Sequence, residues 1–336
     1  MAGEEQGLEP SDLRAARPRV ARGARVTPLL PSDALTGRLG AKVALKCENL
    51  QVGGAFKIRG ATNFLALVSE PKAPRGVITY SSGNHAIAVA TAARLAGIPA
   101  VVVMPETAPG VKLDRVRALG AEIHLVGPVS TERKERAEAL RMERGLTMVP
   151  PFDHPWIVAG QATCGIEILE QMPDVGTVLV PVGGGGLMAG TALACAYHRA
   201  GIRVIGVEPE GAAKMSASLR AGAPVTLSSC RSIADGLLPV RPGDLTFSVA
   251  SRFVSEILTV SDEAIREASA FLLRTEHILV EWSGAVGVAA LLSGGARGSS
   301  APIVAILSGG NADPRDLLGD PGSAESQAVP PDTRPG

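Results

Sequence analysis

The chain has 336 residues, of which 20% are charged and 46% hydrophobic, and its 33 basic and 33 acidic side chains leave no formal net charge. This length accommodates one large domain or two modest ones. A balanced charge argues against a nucleic-acid partner or an acidic membrane surface, both of which attract a basic excess. The four cysteines are widely spaced, which is typical of buried thiols in a reducing compartment and not of a metal or redox pair.

The start of the chain does not resemble a signal peptide. Residues 1–11 are acidic and polar, lack a signal-peptide pattern and are predicted to be disordered, as is the polar tail over residues 317–336. The most apolar window, residues 177–197, contains Pro181 and four consecutive glycines, which favour a strand, a loop and a helix over a membrane span. We therefore expect a cytoplasmic protein.

The first half of the chain predicts a small α/β domain. A short helix is expected from Leu13, with Ser11 and Asp12 at its start and Pro18 at its end, and a strand is expected over residues 43–47. From about residue 73, strands and helices alternate, which predicts a parallel open sheet covered on both faces. The strands are expected over residues 76–80, 100–104, 121–126 and 146–149, and the helices over residues 84–96, 112–119 and 131–144.

A second alternating series follows and predicts a second doubly wound open-sheet domain. Its strands are expected over residues 177–182, 204–207, 256–259 and 302–307, and its helices over residues 161–170, 187–200, 212–220, 262–274 and 285–292. Residues 241–245 contain a proline and a glycine and are predicted to be a loop. We divide the chain into a large domain of residues 12–66 and 152–316 and a small domain of residues 67–151. Ligands of such sheets bind at the carboxyl ends of the strands.

Lys57 lies in a stretch of small and apolar residues in which the only nearby charge is Arg59. A poorly solvated ammonium loses its proton more easily, and the neutral amine can condense with an aldehyde and later act as a base. The alternative is a solvated lysine in the first turn of a helix that follows Gly53 and Gly54.

The four glycines of residues 183–186 lie between a predicted strand and a predicted helix. Successive glycine amides and a helix N-terminus form a binding site for an anion such as a phosphate. A tight turn is the structural alternative. The pattern Gly184-x-Gly186-x-x-Ala189, followed by Glu208, also fits a dinucleotide fingerprint and a nicotinamide-dependent oxidoreductase, but that interpretation leaves Lys57 and the Ser308-Gly309-Gly310 segment unexplained.

Five segments in order resemble the motifs of the fold-type II pyridoxal-phosphate enzymes, and in particular of the serine/threonine dehydratases (ammonia-lyases) and serine racemases. They are Glu48-Asn49-Leu50-Gln51 with Gly54-Ala55-Phe56-Lys57-Ile58-Arg59-Gly60-Ala61, Ser81-Ser82-Gly83-Asn84-His85, Ala159-Gly160-Gln161-Ala162-Thr163, Gly183-Gly184-Gly185-Gly186-Leu187 and Ser308-Gly309-Gly310-Asn311. The resemblance runs from about residue 13 to about residue 314. It implies a tryptophan synthase β-like fold and pyridoxal 5'-phosphate as the cofactor.

The resemblance also implies a role for each matching residue. Lys57 would hold the cofactor as a Schiff base, and Ser308 would contact the ring nitrogen. Glu281 would lie on the ring-nitrogen side, although Trp282 replaces a proline that is usual there. The implied cofactor-binding residues are Phe56, Lys57, Asn84, Gly183, Gly184, Gly185, Gly186, Leu187, Glu281, Ser308 and Gly309. The implied substrate-binding residues are Ser81, Ser82, Gly83, Asn84 and His85, and we give His85 no part in proton transfer.

The activity implied by the resemblance is the dehydration and deamination of L-threonine or L-serine to 2-oxobutanoate or pyruvate and ammonia. Racemases of this family have a serine at the position of Ser82, where it exchanges the α-proton opposite Lys57, so Lys57 and Ser82 are the candidate catalytic residues. Serine racemase is therefore an alternative, and a non-catalytic pyridoxal-phosphate-binding protein is another. The expected partner is a small hydroxyamino acid, and the expected assembly is a homodimer or homotetramer.

Residues 208–214 resemble the divalent-metal loop of the family, which uses a glutamate, a backbone carbonyl and an aspartate. Glu208 matches the glutamate, but Lys214 stands in the place of the aspartate. Because an ammonium cannot ligate a cation and repels one, we expect no bound divalent metal. Glu208 is then left either to support a monovalent ion or to pair with Lys214.

Overall fold

The computed structural model describes residues 8–69, 75–81, 83–108, 110–127, 130–296, 298 and 301–313. The helices in these ranges are α1 (Pro10–Val20), α2 (Asp33–Leu39), α3 (Lys57–Val68), α4 (Asn84–Ala96), α5 (Gly110–Ala118), α6 (Ser130–Arg144), α7 (Pro155–Gln171), α8 (Gly186–His198), α9 (Lys214–Ala221), α10 (Asp244–Phe253), α11 (Asp262–Arg274) and α12 (Trp282–Leu292). The strands are β1 (Leu29–Pro31), β2 (Val43–Lys46), β3 (Val77–Tyr80), β4 (Ala100–Pro105), β5 (Glu122–Val126), β6 (Thr147–Met148), β7 (Thr177–Pro181), β8 (Arg203–Pro209), β9 (Glu256–Val260) and β10 (Ile303–Ile306).

The larger sheet has six strands in the order β1-β2-β10-β7-β8-β9, in which β1 is antiparallel to β2 and the other pairs are parallel. Its strands are apolar on both faces. Val178 and Val180 belong to a core shared with α7 and α8, whereas Leu179 belongs to a core shared with α11 and α12. Helices therefore cover both faces, as expected for a doubly wound sheet.

The smaller sheet has four parallel strands in the order β5-β4-β3-β6. Val102 packs with α4 and α5 on one face, and Val101 and Val103 pack with α6 on the other. The α/β class and the two open sheets are thus confirmed. The domain boundaries at residues 67 and 152 stay a prediction.

The most apolar window of the chain does not form a single helix. Residues 177–197 form β7, the glycine turn and most of α8, which is 13 residues long. Within the described ranges, no helix is both long and apolar enough to cross a bilayer.

The structure corrects the predicted bounds of α1 and of the loop over residues 241–245. Helix α1 does not end at Pro18 but continues to Val20, and its N-cap is Glu9 rather than Ser11. The predicted loop over residues 241–245 is wrong at its end, because α10 begins at Asp244. The carboxylate of Asp153, distant in sequence, accepts hydrogen bonds from the first amides of α10 at 2.9–3.3 Å and so caps the helix.

A buried ionic network anchors α3 close to its first residue, Lys57. The Arg59 guanidinium donates to Glu48 at 2.7 Å and to Glu167 at 2.6–2.8 Å, and Lys46 donates to Glu167 at 2.6 Å. All four side chains are buried, and their formal charges sum to zero. Burial alone would raise the pKa of Glu48, but Arg59 holds it below its usual value. Because the four residues come from β2, the turn after it, α3 and α7, the network ties these elements together.

Helices α3 and α7 approach each other closely beside this network. A Cβ atom at Gly160 would lie 2.7 Å from both the Arg59 carbonyl oxygen and the Gly60 Cα, so only glycine allows the contact. Thr163, one turn further along α7, accepts a hydrogen bond from Arg59 at 3.1 Å and donates to the Gly160 carbonyl at 2.7 Å. The motif of residues 159–163 thus lies buried at the α3–α7 contact, which fits an architectural role.

Replacing Arg59 by alanine should strongly destabilise the fold, because it removes the cation bonded to the buried Glu48 carboxylate and leaves Glu167 with Lys46 as its remaining cation. We expect the free energy of unfolding to fall by roughly 3–5 kcal/mol, measured by urea denaturation. The matched control is Arg17→Ala, which breaks an ion pair to Glu170 whose side chains are 47% and 51% exposed. That variant should lose less than about 1 kcal/mol. Equal losses of unfolding free energy in the two variants would contradict the stabilising role assigned to the buried network of Arg59.

Candidate active site

Lys57 is positioned by backbone contacts between the segment before it and the carboxyl end of β10. The Phe56 amide donates to the Ser308 carbonyl at 3.1 Å, the Gly310 amide donates to the Gly54 carbonyl at 2.8 Å, and Ala55 and Gly309 form an antiparallel bridge. Gly54 has a φ of 78°, a backbone conformation that side-chain-bearing residues rarely adopt. The lysine segment and the Ser308-Gly309-Gly310 segment therefore form one unit.

The Lys57 amine lies in an environment that favours its neutral form. The side chain is half-buried, its Nζ donates to the Pro151 carbonyl at 2.8 Å, and it lies 5.2 Å from the centre of the Phe56 ring. Burial lowers the pKa of Lys57 from 10.5 to about 8. A measurable fraction of this amine is therefore unprotonated at neutral pH, as a nucleophile and base requires.

His85 is buried near Lys57 and has an uncharged ring at neutral pH. Burial, and then the charge of Lys57, lower the pKa of His85 to about 3. Its Nε2 lies 3.1 Å from the Val149 carbonyl oxygen, which can only accept, so Nε2 carries the proton of a neutral ring. That His85 takes no part in proton transfer stays a prediction.

The glycine turn lies at the N-terminus of α8, close to Lys57. Gly185 is the N-cap of the helix, with a φ of 97°, and the Gly184 carbonyl accepts a hydrogen bond from Thr246 at 2.7 Å. The Phe152 ring packs so tightly over Gly184 that a Cβ there would overlap it. Pro151, the residue before Phe152, accepts the hydrogen bond from the Lys57 amine. The amine and the glycine turn therefore lie on either side of residues 151–152. The free amides of the first turn of α8 suit a phosphate.

Glu281 and Asn84 are brought together beside the Ser308-Gly309-Gly310 segment. Asn84 donates to Glu281 at 2.6 Å and accepts a hydrogen bond from Asn311 at 2.9 Å, and the Glu281 amide donates to the Gly309 carbonyl at 3.1 Å. Burial, and then the charge of Asp235, raise the pKa of Glu281 to about 7. Asn311 belongs to the motif of residues 308–311, but nothing in its sequence context indicates its bond to Asn84.

The predicted substrate loop is described only in part. The Ser81 hydroxyl accepts a hydrogen bond from the Gly83 amide at 3.2 Å, and Gly83 precedes α4. Ser82, a candidate catalytic residue, lies outside the described residues. The structure also places Lys112 beside this loop, because its Nζ would lie 3.3 Å from a Cβ atom built on Gly83. The same Nζ forms an ion pair with Asp235 at 2.5 Å. Sequence analysis missed Lys112 because it lies in a helix with several charged residues.

The site residues fit a bound pyridoxal phosphate. Lys57 supplies an amine of lowered pKa for the aldehyde, and the first turn of α8, directly after the glycine turn, has amides without a partner inside the helix that suit the phosphate. The Ser308 side chain is buried just after β10, in the segment whose backbone pairs with the residues before Lys57. The roles of the individual residues towards the cofactor stay predictions.

Comparisons with known proteins agree with this fit. The family model described as "Pyridoxal-phosphate dependent enzyme" matches residues 20–309. The chain belongs to this family. It is 42% identical over 303 residues to an L-threonine ammonia-lyase of Thermotoga maritima, covering 90% of this chain and 75% of that protein. It is also 42% identical over 307 residues to a serine racemase of Oryza sativa subsp. indica, covering 90% of each.

Solved structures support the same family. The structure of maize serine racemase matches 95% of this chain and 98% of its own, with a TM-score of 0.89 and 37% sequence identity. The cofactor of this pyridoxal-phosphate enzyme is therefore pyridoxal 5'-phosphate, and its relatives support a lyase. The nicotinamide alternative is not supported, because the Glu208 carboxylate needed for a ribose is completely buried and bonded within the protein.

The attachment of the cofactor should follow the ionisation of Lys57. Because only the neutral amine attacks an aldehyde, the rate at which the cofactor-free enzyme condenses with pyridoxal phosphate should rise with pH and level off above about 8. Well below that pH, the rise should approach tenfold per unit. Borohydride reduction followed by peptide mass spectrometry would measure the label on Lys57, with the exposed Lys42 as the internal control. A midpoint near 10, as in a solvated lysine, would contradict the structure.

Proposed function

We propose that this enzyme dehydrates and deaminates L-threonine, L-serine or both, giving 2-oxobutanoate or pyruvate and ammonia. The observation that carries the proposal is the Lys57 amine, whose burial lowers its pKa to about 8 beside a glycine turn suited to a phosphate. A base of that pKa can accept the α-proton of an amino acid near neutral pH. The similarity to a threonine ammonia-lyase supports the choice of reaction.

In this mechanism the bound cofactor supplies an electron sink for the electrons of the broken Cα–H bond. Lys57 takes the α-proton at its Nζ and returns a proton to the β-hydroxyl, which leaves as water. Hydrolysis of the released enamine then supplies the oxygen of the 2-oxo acid and frees ammonia. The residues of the 81–85 loop, at the N-terminus of α4, bind the substrate carboxylate with backbone amides. His85 holds its neutral ring against Val149 and does not compete for the proton.

The neutral hydroxyl of Ser308 favours elimination over reactions that need a long-lived carbanion. In the proposed arrangement it contacts the ring nitrogen of the cofactor, and a hydroxyl does not hold that nitrogen protonated as a carboxylate would. The ring is then a weaker electron sink. Loss of the β-hydroxyl relieves the developing charge and so suits such a ring.

Serine racemase is the second candidate, because the similarity to the racemase of Oryza sativa is as high as that to the ammonia-lyase. In that reaction Ser82 would return a proton to the face of Cα opposite Lys57. Elimination remains our first proposal, since a serine at the position of Ser82 can equally bind the substrate carboxylate. For either reaction we propose a cytoplasmic enzyme that assembles as a homodimer or homotetramer. Sedimentation analysis would test the number of subunits.

The decisive experiment incubates the cofactor-loaded enzyme with L-serine and, separately, with L-threonine, and measures 2-oxo acid, ammonia and D-amino acid together. We expect equal amounts of oxo acid and ammonia and no D-isomer, and no product from Lys57→Ala. Appreciable D-serine would favour the racemase. Neither product, with the cofactor attached to Lys57, would contradict the proposed substrate class.

Replacing Ser82 by alanine separates the two candidates. If Ser82 only contacts the carboxylate, Ser82→Ala should retain elimination with a raised KM and a kcat close to that of the native enzyme. If it is a catalytic acid and base, racemisation should be abolished while elimination continues. The two products are measured in one assay, so loss of both would instead indicate a damaged site.

A further inference from the structure

Lys214 places a completely buried ammonium at the junction of three loops beside the glycine turn. Its Nζ donates to the carbonyl oxygens of Val182 at 3.0 Å, Ala212 at 3.0 Å and Leu237 at 2.9 Å, and its side chain is 0% exposed. A lysine ammonium has three N–H donors. The three carbonyls therefore match its full donor capacity, and a neutral amine would leave one of them without a donor.

Glu208 supplies the countercharge from the end of β8. Its carboxylate lies 3.2 Å from the Lys214 Nζ and is also completely buried. The same carboxylate accepts hydrogen bonds from the amides of Met215 and Ser216 at 2.9 Å and from the Ser216 hydroxyl at 3.0 Å. Burial lowers the pKa of Lys214, and the charge of Glu208 opposes that effect. The geometry of three acceptors and one carboxylate holds the lysine protonated.

The three carbonyls belong to segments that surround the phosphate-binding turn. Val182 directly precedes Gly183, Ala212 ends the short 3-10 helix before α9, and Leu237 ends the short 3-10 helix Asp235–Leu237. A Cβ at Gly183 would lie 3.1 Å from the Gly236 carbonyl oxygen, so this last helix packs directly against the turn. The ammonium thus holds the start of the glycine turn against its neighbouring loops.

The oxygen cage around Lys214 does not fit a free divalent cation. Oxygen ligands bind Mg²⁺ at about 2.0–2.1 Å and Ca²⁺ at about 2.3–2.6 Å, whereas the four oxygens lie 2.9–3.2 Å from the Nζ that fills the space. While the Lys214 ammonium occupies the space between these oxygens, it leaves no room for a divalent cation among them.

We infer that Lys214 is a tethered cation, a positioning residue whose ammonium organises the glycine turn so that cofactor binding needs no free metal ion. A cation that is part of the chain costs no association entropy and cannot be removed by a chelator. The inference rests on the cofactor of the family and is independent of the proposed substrate. It predicts that removing the ammonium creates a site that a free monovalent cation can fill.

The test compares the native enzyme, Lys214→Ala and Lys214→Met in potassium chloride and in tetramethylammonium chloride of equal ionic strength, each with and without a chelator. Alanine leaves a cavity lined by four oxygens, whereas methionine fills the space without a charge and is the matched control. Two quantities are measured without substrate, namely the affinity of the cofactor-free enzyme for pyridoxal phosphate and its Tm. A failure of the proposed reaction would therefore not affect this test.

The native enzyme should bind the cofactor with affinities within about twofold in the two salts. In tetramethylammonium chloride, Lys214→Ala should lose roughly 10- to 100-fold in affinity and about 5–10 °C in Tm. Potassium should restore most of both losses in Lys214→Ala and none in Lys214→Met. A change in the cofactor affinity or the Tm of the native enzyme with the choice of salt or with the chelator would overturn the inference. That measurement needs neither variant. An equal loss for Lys214→Ala in both salts would also overturn it.

Discussion

The position of Lys57, the proposed catalytic residue, depends on the ion pairs of Arg59 with Glu48 and Glu167. These charges are buried, so each is stable only while its partners are in place. Arg59 is two residues after Lys57 in the first turn of α3, and any movement of that turn would separate buried charges. The network therefore makes the start of α3 rigid, which a base that must reach one atom of the substrate requires.

A second constraint comes from the backbone on the other side of Lys57. Residues 54–56 pair with residues 308–310 at the carboxyl end of β10, so the lysine and the segment proposed to face the ring nitrogen move as one unit. Residues 151–152 connect that unit to the glycine turn through the Pro151 carbonyl and the Phe152 ring. The carboxyl ends of two parallel strands, β7 and β10, thus place the two ends of the cofactor site.

The charges around the site are arranged so that Lys57 can be neutral. Its partner is a carbonyl, His85 is uncharged, and Glu281 is protonated for part of the time near pH 7 because it is buried near Asp235. An ionised acid next to Lys57 would raise the pKa of the amine and weaken it as a base at neutral pH. The carboxylates of Glu48, Glu167 and Glu208 instead form ion pairs with other basic side chains, Arg59 and Lys214.

The sequence by itself determined the features that depend on neighbouring residues. The alternation of strands and helices predicts both sheets and most helices to within a few residues, and it makes the lysine stretch and the glycine turn the candidate site. Only the tertiary structure decided which distant groups meet. Asp153 caps α10 across 91 residues, Arg59 meets Glu167 across 108 residues, and Lys214 meets Leu237 and Val182 through backbone carbonyls, which leave no trace in a side-chain pattern. The physical reason is that burial and pairing set the energy of a charge, and both depend on three-dimensional contacts rather than on sequence neighbours.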